Sequence, residues 1–97
     1  MNKQSYVYIL TNKWGTTLYT GVTSDLVKRI HQHKEKQADS FSRRYDLNKL
    51  VYFEVYEDIQ YAIQREKQIK AGNRQKKIEM INNMNPDWKD LYSEIVG

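Results

Sequence analysis

The chain has 97 residues, no cysteine, 39% apolar residues and a formal net charge of +4. That length supports one domain with a modest core. No apolar run reaches the roughly 20 residues of a membrane span, and the absence of cysteine excludes a disulfide framework or a Cys-based zinc site. The basic balance favours anionic partners, nucleic acid first. The polar N-terminus has no signal-peptide pattern, so the expectation is a cytoplasmic protein with no membrane partner.

Gln4–Thr11 alternates as a strand, with Tyr6, Tyr8 and Leu10 on one face and Val7 and Ile9 on the other. Asn12-Lys13-Trp14-Gly15 is turn chemistry, and Thr16–Val22 reads as the second strand of a hairpin. Thr23 or Ser24 is placed to cap a helix that runs to about Lys36, with Asp25 in its first turn and Leu26, Val27 and Ile30 inward. Gln37–Asp46 is polar and basic around Phe41 and reads as a loop. Lys49–Glu57 gives the strongest strand signal, with Glu54 interrupting its apolar and aromatic run. Asp58 caps a helix over Ile59–Ala71 that Gly72 stops. A further helix, Arg74–Met84, ends before Asn85-Pro86, and Asp87–Ile95 adds a short last helix with Trp88, Leu91 and Ile95. The order β-β-α-β-α-α predicts an α/β (α+β) fold: a small three-stranded antiparallel sheet flanked by helices, one domain over residues 1–97.

Chemistry concentrates at a few positions. Ile59, Ala62, Ile63, Glu66 and Ile69 recur at helical spacing, so Glu66 sits in or beside an inward stripe. One reading is a carboxylate satisfied by Lys70 at i+4; the other is a metal ligand or general base. Between Arg65 and Lys77, six bases (Arg65, Lys67, Lys70, Arg74, Lys76 and Lys77) surround that single acid. This pattern suits a phosphate backbone passing a bound cation. Arg29 and His33 share a helix face at i and i+4; Arg29 offers a planar fork for phosphate and His33 a group that titrates near neutrality. His31 and His33 point to different faces, which weighs against a His-metal pair. Tyr8 and Tyr19 lie on adjacent strands, and Gly21 removes a side chain beside them.

Together these residues resemble the GIY-YIG nuclease family. Its two name motifs read here as Tyr6-Val7-Tyr8 and Tyr19-Thr20-Gly21, eleven residues apart from tyrosine to tyrosine. The family's helical Arg matches Arg29 in "LVKRIHQHK", and its metal-binding Glu matches Glu66 in "AIQREKQIK". The second half, with "LVYFE", "REKQIK" and "NPDWKDL", looks like the small stand-alone bacterial branch. Tyr6 and Thr20 depart from the motif's Gly and Ile, and neither change removes a catalytic side chain. A later family Asn aligns with either Asn73 or Asn85.

The resemblance implies a phosphodiester hydrolase acting with one divalent cation, Mg²⁺, with Mn²⁺ able to substitute. Glu66 would hold the cation and Arg29 clamp phosphate. Tyr8, helped by Tyr19, would take a proton from the attacking water or only position it, with His33 as a third candidate base. Lys67, Lys70, Arg74, Lys76 and Lys77 would bind nucleic acid, DNA rather than RNA, at low sequence specificity and in repair or recombination. A non-catalytic nucleic-acid-binding module and a nuclease subunit that depends on a protein partner are the competing readings. Oligomeric state stays open.

Overall fold

The computed structural model describes residues 4–36 and 40–96. Of the expected loop over 37–46, residues 37–39 lie outside the described residues. Strands β1 (Ser5–Thr11), β2 (Leu18–Thr23) and β3 (Lys49–Tyr56) form one antiparallel sheet in the order β2-β1-β3. The central strand is covered on both faces, and Val7, Tyr8, Ile9 and Leu10 are each 0% exposed.

The alternation of β1 divides the core in two. Val7 and Ile9 face α3 (Ile59–Ala71) and α4 (Arg74–Met84), with Ala62, Ile69 and Ile81 closing that side. Tyr8 and Leu10 face α1 (Leu26–Lys34), with Leu26, Ile30 and Leu47. The last helix, α5 (Tyr92–Ile95), packs against α1. Between Ile9 and Leu10 the register with β3 slips, so that Ile9 faces Tyr52 and Leu10 faces Leu50. The extra residue, Val51, joins Tyr52 on the α3 side while Leu50 and Phe53 stay on the α1 side.

Several local expectations change. Asp25, rather than Thr23 or Ser24, caps α1: its side chain accepts from Lys28 N at 3.1 Å, and Thr23 Oγ1 instead accepts from Asp25 N at 3.0 Å. Val27 is 39% exposed because it lies off the Leu26-Ile30-His33 stripe. Part of the expected loop is a helix, α2 (Ser40–Arg44), with Tyr45 N donating to Phe41 O at 3.2 Å and the two rings 4.7 Å apart. The last helix is shorter than Asp87–Ile95, since residues before it form a turn. Asn85 shapes that turn, accepting from Lys89 N at 3.1 Å and donating to Lys89 O at 2.8 Å and Val51 O at 3.2 Å. Asp90 then accepts from Leu50 N at 3.2 Å, and Leu91 N donates to Leu50 O at 2.7 Å. The "NPDWKDL" segment is therefore a clasp on the outer edge of β3. The caps at Asp58 and the stop at Gly72 fall where the sequence places them.

Candidate active site

Three side chains from three elements converge on the α1 face. Tyr8 comes from β1, Tyr19 from β2 and His33 from the last turn of α1. Tyr8 Oη lies 3.3 Å from His33 Nε2 in a buried hydrogen bond, with Tyr8 the donor when that nitrogen carries no proton. The Tyr8–Tyr19, Tyr8–His33 and Tyr19–His33 ring centroids are 6.3, 5.9 and 5.6 Å apart. Tyr8 is fully buried, His33 nearly so, and Tyr19 reaches partly to solvent.

The local chain explains this packing. Tyr8 pairs across the sheet with Gly21, and both point to the α1 side. A Cβ at Gly21 would lie 2.4 Å from Tyr8 Oη and 2.5 Å from its Cζ, so the Tyr8 ring occupies the space that a side chain would fill. His33 enters because it is seven residues after Leu26 on the same buried stripe. The exposed His31 faces away.

The other candidates are placed as follows. Arg29 is half-buried on α1, one turn before His33, and makes no ion pair with a described residue. Glu66 lies between Ala62 and Ile69 on the sheet-facing stripe of α3, its side chain 16% exposed and its Oε2 3.5 Å from Lys70 Nζ. The structure brings Tyr8, Tyr19 and His33 into contact; Glu66 stands on the helix that packs over β1 and β2 from the opposite face. Lys67, Lys70, Arg74 and Lys76 are exposed and Lys77 is half-buried, all on α3 and α4. Arg74 also donates to Gly15 O at 3.2 Å.

Among the described residues no group of three or more His, Cys, Asp or Glu side chains converges to cage a metal. A single hard carboxylate paired to an exposed lysine still fits Mg²⁺, which binds through one or two carboxylates and completes its shell with water and phosphate. Glu66 is such a carboxylate.

A second polar cluster lies outside the expected site residues. Glu54 accepts from Tyr56 Oη at 2.7 Å and from Tyr52 Oη, and Arg65 donates through Nε at 3.0 Å and Nη2 at 3.1 Å. Burial pushes the Glu54 carboxyl up, but the hydrogen bonds from Arg65 and the two tyrosines outweigh it and hold the group below its ordinary value of 4.5. Burial first, then the Glu54 bond and charge, push the Tyr52 hydroxyl well above its ordinary 10.0. The signal was present: Tyr52, Glu54 and Tyr56 alternate, so they share one strand face. Arg65 is thereby committed to Glu54 and Gln68. The two candidate asparagines also have structural partners, Asn73 as the α4 cap accepting from Lys76 N at 2.9 Å and Asn85 in the clasp.

Comparison with known proteins bears on the family and the fold. The model of the GIY-YIG catalytic domain matches residues 4–79. A UPF0213 protein of Clostridium perfringens is 37% identical over 91 residues, covering 94% of this chain and 97% of its own. A UPF0213 protein of Staphylococcus saprophyticus is 38% identical over 77 residues, covering 79% and 93%. The solution NMR structure of a UPF0213 protein from Bacillus halodurans superposes with a TM-score of 0.57 at 28% identity, covering 90% of this chain and 92% of that one.

Proposed function

The chain belongs to the GIY-YIG family, a nuclease superfamily, and from that premise we propose that it is a divalent-cation-dependent endonuclease hydrolysing phosphodiester bonds in DNA. The observation that supports this reading most is the Tyr8–Tyr19–His33 contact, with Gly21 leaving room for it. Three titratable rings are gathered where a simple core would hold aliphatic side chains.

Burial divides the labour between the tyrosines. Tyr19 has surface to offer a substrate, so its hydroxyl contacts and orients the attacking water. Tyr8 has none. It acts from behind, its hydrogen bond to His33 Nε2 and its ring contact keeping the Tyr19 ring in place. This assigns the water-facing role to Tyr19, where the resemblance alone gives it to Tyr8. Arg29 binds the phosphate oxygens through its guanidinium fork. Glu66 holds the cation, which when bound supplies positive charge against the scissile phosphate and the leaving oxygen. Because α3 and α1 lie on opposite sheet faces, a substrate that meets both Tyr19 and Glu66 crosses the outer edge of β2. Lys67, Lys70, Arg74, Lys76 and Lys77 extend that path with positive charge.

The test is nicking of supercoiled, branched and single-stranded DNA, with an RNA panel beside them, in Mg²⁺ or Mn²⁺. Glu66→Ala and Tyr19→Phe should each lower the rate by about 100-fold or more, and chelator should abolish it. Salt-sensitive binding without cleavage under every metal would favour a non-catalytic module instead. Cleavage that appears only with added cell extract would favour a partner-dependent subunit. Repair and recombination are the processes this activity suits.

A further inference from the structure

The aromatic cluster continues beyond Tyr19. Phe41 on α2 lies against Tyr19, ring centroids 6.2 Å apart at an interplanar angle of 32°. One helical turn later Tyr45 lies against Phe41, 4.7 Å apart at 46°. The run therefore leads from the sealed Tyr8 out to solvent, where Phe41 is 46% and Tyr45 39% exposed. The Arg44 guanidinium sits 5.7 Å over the Tyr45 ring, and Arg43 is exposed beside it.

A packing role alone accounts poorly for this arrangement. Rings that serve only a core hide their faces, whereas these two leave large area wet beside cations. Exposed aromatic faces flanked by guanidinium groups are what nucleobases and their phosphates bind, the base by stacking and the backbone by charge. Such stacking tolerates any base, since each has a π-face. Through the Phe41 contact this surface adjoins Tyr19.

We propose that Phe41 and Tyr45 form a stacking subsite for an unpaired nucleobase flanking the scissile phosphate. The location of this subsite rests on the hydrolase reading; its chemistry does not. Binding and cleavage are therefore measured separately. Fluorescence anisotropy in chelator compares a labelled short single-stranded oligonucleotide with a set carrying one abasic position in turn along its length. For the wild-type chain one abasic position should weaken binding by about 5- to 100-fold, the range of a single stacked base. Phe41→Leu should abolish that difference and Phe41→Trp should restore it, with Tyr45→Leu reducing it. Melting curves of each variant check that it folds, and Tyr45→Leu carries the test if Phe41→Leu does not. Equal binding of every abasic oligonucleotide by the wild type, or an undiminished difference in Phe41→Leu, would overturn the subsite. Cleavage without base discrimination refutes the subsite alone. Base discrimination without cleavage upholds the subsite and refutes the hydrolase.

Discussion

A methyl group at position 21 would lie 2.4 Å from the Tyr8 hydroxyl, and Tyr8 is 0% exposed, so its ring has no solvent to move into. Gly21→Ala should therefore cost about 1–3 kcal/mol, the range for overpacking a filled site, and displace the hydroxyl from His33. Thermal melting reads the first effect and nicking the second. Loss of activity at unchanged stability would mean that the ring moves instead of the backbone. The sequence shows this glycine and both tyrosines because the name motifs carry them at the right interval. It does not show the burial of His33. Its neighbours His31, Gln32 and Lys34 make the stretch look solvated, and only the helical phase from Leu26 separates the one inward ring from them. Glu66 shows the opposite limit. The pattern places it on the inward stripe, but its ion pair with Lys70 is what the local spacing alone would also give.

At the scale of elements, Glu54 ties β3 to α3 through Arg65 and closes a face with Tyr52 and Tyr56. The folded state binds the Glu54 proton less tightly than the unfolded chain, whose carboxyl titrates near 4.5. The contribution of this clamp is therefore complete above that pH and is lost as pH falls through the lower folded value. Glu54→Gln should lower the melting temperature at neutral pH and flatten the acid limb of its pH profile; parallel limbs would contradict the linkage. The Asn85 clasp makes a different demand. Asn85→Ala removes a buried bond to Val51 O and part-buried bonds to Lys89 O and Lys89 N, and leaving those backbone groups unpaired should cost about 1–3 kcal/mol each at most. Urea unfolding measures it, and an unchanged midpoint would show that water replaces the amide. Helices α3 and α4 were legible because Asp58, Gly72 and Asn85 are capping and stopping residues with local rules. Helix α2 and the β3 slip were not. The first depends on Phe41 meeting Tyr45 and Tyr19, the second on a cross-strand register, and neither is a property of a short window.

Across the whole molecule, the sheet separates two kinds of chemistry. The α1 face carries Tyr8, Tyr19, His33 and the aromatic run through Phe41; the helices on the other face carry Glu66 and the lysines. The edge strand β2 lies between them, with Leu18 and Val22 packed toward α3 and Tyr19 toward α1. The fold class is legible in the alternation and the element order of the sequence, while the strand order β2-β1-β3, and with it the placement of Tyr19 and Glu66 on opposite faces, is seen only in the structure. The proposed hydrolysis draws on both faces. The most direct test is the rate of plasmid nicking in Mg²⁺ for the wild type, Tyr19→Phe, Glu66→Gln and the double variant. Each single change should lower the rate by about 100-fold or more, and the double change should add little, as for groups acting in one step. Full activity in either single variant would contradict it.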